Sequence, residues 1–89
     1  MARTKKTHVF TETELIFRKN ITYLREKTGL TRSAFIREMR LNQAYYYRLE
    51  NLNLPVNVTF EYMQIMAEIH NIPVWKLFTK LYEQEEEKA

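Results

Sequence analysis

Gln43, Ala44, Tyr47 and Arg48 fall at i, i+1, i+4 and i+5 of a segment with helical periodicity, so they share one side of a helix. Their chemistry matches the edges of DNA bases. The Gln43 amide can pair with adenine N6 and N7, and the Arg48 guanidinium with guanine O6 and N7 or with a phosphate. Ala44 is small enough to meet a thymine methyl, and Tyr47 reaches either a base edge or the backbone. One good bidentate pair gives about 1–3 kcal/mol of discrimination against the wrong base. On a helix that faces only water, the same residues are plain solvated surface. What they do therefore depends on the elements that hold them.

Those elements read as short helices. Thr11 and Glu14 form a capping-box pattern, which starts helix 1 near Glu12. Phe17, Ile21 and Leu24 recur on one face, and Gly29 supplies the left-handed stop. Thr31 caps helix 2, in which Phe35 and Met39 share a face and which ends near Arg40. Asn42 caps helix 3, Gln43 to about Asn51, with Tyr46 and Leu49 inward. Tyr45 is lateral, free either to pack against helix 4 or to bond a phosphate. Residues 52–58 carry no helical signal. Thr59 caps helix 4, with Phe60, Met63, Met66 and Ala67 as its apolar stripe and Asn71 at its end. Pro73 opens helix 5. There Val74, Leu77, Phe78, Leu81 and Tyr82 make a continuous stripe at i, i+3, i+4, i+7 and i+8. The reading is all-α: a basic arm over residues 1–10, one domain over 11–82 and an acidic, fraying tail over 83–89.

Composition bounds the rest. The 89 residues suit one domain, and the 45% hydrophobic content suits a globular one. There is no Cys, so disulfides and thiolate metal sites are excluded. No apolar run approaches the roughly 20 residues of a membrane span, and no apolar stretch follows the basic start. The expectation is a soluble, cytoplasmic protein. Arg3, Lys5 and Lys6 make the arm basic, while Glu83, Glu85, Glu86 and Glu87 outweigh Lys88 in the tail. Between Arg18 and Arg48, eight cations stand against two anions, a net of +6. A half so polarised suits a polyanionic partner.

Residues 24–78 resemble the helix-turn-helix family of lambdoid phage repressors and Cro proteins, the XRE type. The resemblance is carried by Leu24-Arg25 through Gly29-Leu30-Thr31, then Phe35, Met39, Leu41-Asn42-Gln43, Arg48-Leu49-Glu50-Asn51, Met66-Ala67 and the run from Ile72 to Phe78. It implies a lambda-repressor-like five-helix bundle with helix 3 in the major groove, bound as a two-fold homodimer to a palindromic operator. Double-stranded DNA is the implied partner and transcriptional repression the implied role; from the residues themselves, no cofactor and no metal is expected. The resemblance also makes Glu50 a structural acid paired with a nearby Arg, with Arg25 the candidate. Four positions depart from the family pattern: Arg40 stands for the usual Gly of the turn, Ile36 for Ala, Arg32 for Gln and His70 for Leu.

Around the base-reading face, Thr31 and Arg32 open helix 2, where free N–H groups suit an anion. Asn42, Tyr45 and Asn51 are the other candidate phosphate contacts, which position without reading sequence. The arm residues Arg3, Lys5 and Lys6 either wrap the duplex or only solubilise. Trp75, with Phe78 and Tyr82, forms the candidate dimer interface; the alternative for Trp75 is to cover the edge of the core. A dimer formed there sets the two reading helices about 34 Å apart.

Catalysis is not expected. The chain has no Asp, His8 and His70 have no metal-ligand spacing, and Ser33 has no nearby His. The rival reading is a protein-interaction module, an antitoxin or accessory factor holding its partner through helix 5 and the acidic tail. Such a module would expose an apolar patch including Trp75 and Tyr45; a DNA reader would leave Gln43 and Arg48 free and flanked by cations. So short a chain is expected to leave no room for a ligand-sensing domain, so relief of repression would fall to competition, dilution or an antirepressor partner.

Overall fold

The computed structural model describes residues 11–84, which form helices, turns and extended connections with no strand among them. The helices are α1 (Glu12–Thr28), α2 (Arg32–Met39), α3 (Gln43–Glu50), α4 (Phe60–His70) and α5 (Lys76–Thr79). None of them is long and apolar enough to cross a membrane.

Local chemistry sets the ends of the first four. At α1 the Glu14 N–H donates to the Thr11 hydroxyl at 3.0 Å, and the Thr11 N–H donates back to the Glu14 carboxylate at 3.3 Å. Thr31, Asn42 and Thr59 cap α2, α3 and α4, accepting from the N–H groups of Ala34, Tyr45 and Tyr62 at 3.1, 2.9 and 3.1 Å. Each such cap contributes about 1 kcal/mol. Gly29 takes the left-handed conformation after α1, with φ 84°. Arg40 and Asn71 take it after α2 and α4, both at φ 57°. In both cases the next two N–H groups fold back: Arg40 and Leu41 onto Arg37 and Ile36, Asn71 and Ile72 onto Glu68 and Ala67. For Arg40 this geometry costs roughly 1–2 kcal/mol that a Gly would avoid.

The core draws on every helix: Phe17 and Ile21 from α1, Phe35 and Ile36 from α2, Tyr46 and Leu49 from α3, Met66 and Ala67 from α4, and Leu77 from α5. Val56 closes it from the connection before α4. The His70 ring stacks on Phe35, with centroids 5.7 Å apart and planes 9° from parallel. Burial holds its pKa below the ordinary imidazole value. The α4 stripe is shorter than expected. Phe60 lies in its first turn and is 56% exposed, so burial begins only at Tyr62.

The end of the domain departs most from expectation. In place of one continuous helix 5 there is a turn at 74–75, one helical turn as α5, a break at Lys80 in extended conformation, and renewed helix at 82–84. Against the break lies Asn20, buried on α1 with 1% exposure. Its amide donates to the carbonyls of Leu77 and Lys80 at 2.8 and 2.7 Å, and its oxygen accepts the Tyr82 N–H at 2.8 Å. One side chain therefore satisfies the groups that a continuing helix would have paired. Replacing Asn20 by Ala removes all three bonds, the one to Leu77 buried and the other two part-buried, and an unmet buried group costs about 1–3 kcal/mol. We expect a loss of about 2–4 kcal/mol in urea unfolding, concentrated in residues 77–82 by hydrogen exchange. Protection unchanged there would show that other contacts hold the break.

Candidate nucleic-acid interface

Two short helices build the site. α2 and α3 are joined by Arg40, Leu41 and Asn42, and the left-handed Arg40 redirects the chain between them. Tyr46 and Leu49 anchor α3 in the core at 0% exposure. Helical geometry then puts Gln43, Ala44, Tyr47 and Arg48 outward, and all four are exposed. An open groove runs across the two helices, lined by Arg32, Ser33 and Ile36 of α2 and by Asn42, Gln43, Ala44 and Tyr47 at the start of α3. Arg48 lies one residue further along the exposed side.

Two buried arginines of α1 hold the far end of α3: Arg18, counted in the sequence only among the charges of the basic half, and Arg25, the expected partner of Glu50. Arg18 of α1 is fully buried. Its Nε donates to the Leu49 carbonyl at 2.9 Å, and one terminal nitrogen lies within 2.7–2.8 Å of the carbonyls of Arg48, Asn51 and Leu54. A cation at a helix C-terminus also opposes the negative end of the helix dipole. Arg25 is buried as well and grips Glu50 through two bonds of 2.9 Å. Two of the eight cations in the basic half are therefore internal and add little to the outer field. The exposed ones are Lys19, Lys27, Arg37, Arg40 and Arg48.

Glu50 has a second partner. The Arg32 Nε donates to it at 3.1 Å, and the Arg32 guanidinium stands 5.1 Å from the centre of the Tyr47 ring. Burial alone would push the Glu50 carboxyl up, but bonding and charge from Arg25, with Arg32, more than reverse this and hold it below its ordinary value. The Glu50 side chain is 1% exposed and that of Arg32 41%. Arg32, expected at a phosphate, thus already serves a carboxylate and braces Tyr47 at the edge of the groove.

The other expected phosphate contacts separate. Thr31 and Asn42 are exposed at the starts of α2 and α3, both engaged as caps. Tyr45 turns away: its hydroxyl donates to the Asn57 carbonyl, and its ring meets Tyr62 edge-on at 4.8 Å. Its one proton is thus already bonded, and of the two alternatives for it the packing against α4 is the one observed. Asn51 lies at the opposite end of α3, where its side chain accepts the Asn53 N–H at 3.1 Å and its carbonyl serves Arg18.

Trp75 is 55% exposed, beside Lys76, whose Nζ lies 5.7 Å from the centre of the ring. It borders a shallow pocket with Thr79, Lys80 and Tyr82. Phe78 is partly buried against the core, and Tyr82 is half-buried with its N–H on Asn20. Both therefore serve their own chain as much as any outer surface. The arm residues Arg3, Lys5 and Lys6, and the tail from Glu85, lie outside the described residues. Among the described residues, no group of three or more His, Asp or Glu could hold a metal ion.

No family model, curated protein or solved structure matches the chain.

Proposed function

We propose that the chain is a sequence-specific DNA-binding regulator in which α2 and α3 act as a helix-turn-helix and α3 enters the major groove. The observation that carries this is the outward side of α3. Gln43, Ala44, Tyr47 and Arg48 are exposed together, and the first three line one groove with α2, while Tyr46 and Leu49 lock the opposite side into the core. Rigid placement of base-reading groups is what direct readout requires. The start of the reading helix, where side chains meet base edges in this docking mode, is also its freest part. The proposed role is binding, not catalysis, and repression of a promoter follows from occupancy of the operator.

A second copy is the proposed partner at Trp75, whose exposure suits an interface anchor. The same exposure also favours the rival reading, capture of a different protein at this end of the domain. Against the rival, Tyr45 does not join Trp75 in an apolar patch, because it packs on Tyr62.

The test is selection from random duplex DNA at about 150 mM salt, where much of the sequence-independent attraction is suppressed. The expected result is one palindrome. Gln43→Ala and Arg48→Ala should each weaken it by about 1–3 kcal/mol, roughly 5- to 150-fold, with relaxed preference at separate base pairs. Recovery of no motif, with only weak salt-sensitive binding, would move the assignment to the protein-partner reading.

A further inference from the structure

The groove that holds Gln43 continues past it. A second open groove is lined by Ser33, Ile36, Arg37, Arg40, Leu41 and Gln43, and so shares Ser33, Ile36 and Gln43 with the first. The two form one surface, with different charges at its ends. At the Arg32 end the cation is bonded to Glu50. At the other end Arg37 and Arg40 are exposed, and neither side chain has a hydrogen bond or ion pair within the described residues. Arg40 also holds a backbone conformation that favours Gly, at φ 57° and ψ 47°. A strained position occupied by a long cation, beside a base-reading amide, points to a use for the cation.

We propose that Arg37 and Arg40 bind the phosphodiester backbone flanking the bases read by Gln43, forming the main electrostatic clamp of the interface. The inference rests on the DNA-binding reading and adds to it the residues that position the helix. It transfers to the end of α2 and the connection after it a role that Arg32, already bonded to Glu50, fills less well. Contacts of this kind set register and affinity and carry no sequence information.

The experiment measures binding of the full chain to the selected duplex and to an unrelated duplex between 50 and 200 mM salt. The variant is Arg37→Gln with Arg40→Gly, the glycine keeping the left-handed turn. Two lost phosphate contacts flatten the salt dependence by about 1.8 in log–log slope, so the wild type's advantage over the variant shrinks about 12-fold across that range. Both duplexes should be affected alike, with base preferences unchanged. Arg37→Lys with Arg40→Lys should restore the slope. Lys19→Gln, on a different groove with Thr22 and Glu83, should leave it unaltered. A slope unchanged in the double variant would overturn the clamp, as would an equal change per charge in Lys19→Gln, which would mean a diffuse field. Altered base preference would also overturn it, by placing the two arginines on bases. A wild type that binds no duplex even at low salt removes the DNA reading and the clamp together, whereas sequence-selective binding with unaffected slopes removes the clamp alone.

Discussion

Arg18→Ala should lower the stability of the domain by about 3–5 kcal/mol, a large part of the roughly 4–13 kcal/mol expected for a chain of this size. The guanidinium is fully buried and serves four carbonyls at the end of α3 and in the connection after it. Hydrogen bonds to a charged group contribute about 1.5–3 kcal/mol each, and the cost of burying the cation offsets part of their sum. Removing the side chain leaves the acceptors unmet and opens a cavity. Arg18→Met fills much of the volume without the donors, and Arg18→Lys keeps the charge on a point too compact to span the same acceptors. Both should therefore remain well below the wild type in urea unfolding. A methionine variant within about 1 kcal/mol of the wild type would mean that Arg18 packs and does not bind.

The second large effect is expected at Glu50. Replacing it by Ala strips a bidentate partner from Arg25, whose side chain is only 10% exposed, and breaking a buried pair from one side typically costs about 3–5 kcal/mol. The same change frees Arg32 and with it the brace on Tyr47, so on the proposed DNA-binding reading affinity for the selected duplex should fall beyond what unfolding explains. The pair also fixes an acid response. The Glu50 carboxyl is held below its ordinary value of 4.5, so its contribution is complete above that pH and is lost as pH falls through the depressed value. His70 acts earlier. Burial keeps it below its ordinary 6.5, so the unfolded chain takes up that proton first and stability declines as pH falls through that value. Stability should thus fall in two stages, the first absent in His70→Phe and the second reduced in Glu50→Gln. A profile flat from pH 7 to pH 3 would show that neither group is held as described.

Much of the frame was legible because it is written in neighbours. Thr11, Thr31, Asn42 and Thr59 bond N–H groups three residues away, and Gly29, Arg40 and Asn71 stop helices by their own backbone angles. The outward side of α3 was legible for the same reason, since Tyr46 and Leu49 fix by periodicity which residues face away. What could not be read acts across the chain. Asn20 bonds the groups at the break of the last helix from 57–62 residues away, and Arg18 reaches α3 and the connection after it from 30–36 residues away. Neither leaves a local pattern: a polar residue on a helix looks like solvated surface until its partners are known. Tyr45 was undecided because Asn57 lies in a connection without periodicity.

The run Tyr45-Tyr46-Tyr47 has a mechanical consequence. Successive residues of a helix point about 100° apart. Here one ring is keyed against Tyr62, the next against Phe35 in the core, and the third against Arg32 in the groove. Three such keys around a two-turn cylinder act like splines on a shaft, so α3 cannot roll about its axis without disengaging at least one of them. If α3 reads DNA as proposed, substitutions at Gln43, Ala44 or Arg48 should therefore change what is read one tooth at a time. A change in any of the three tyrosines would instead re-index all the outward groups together.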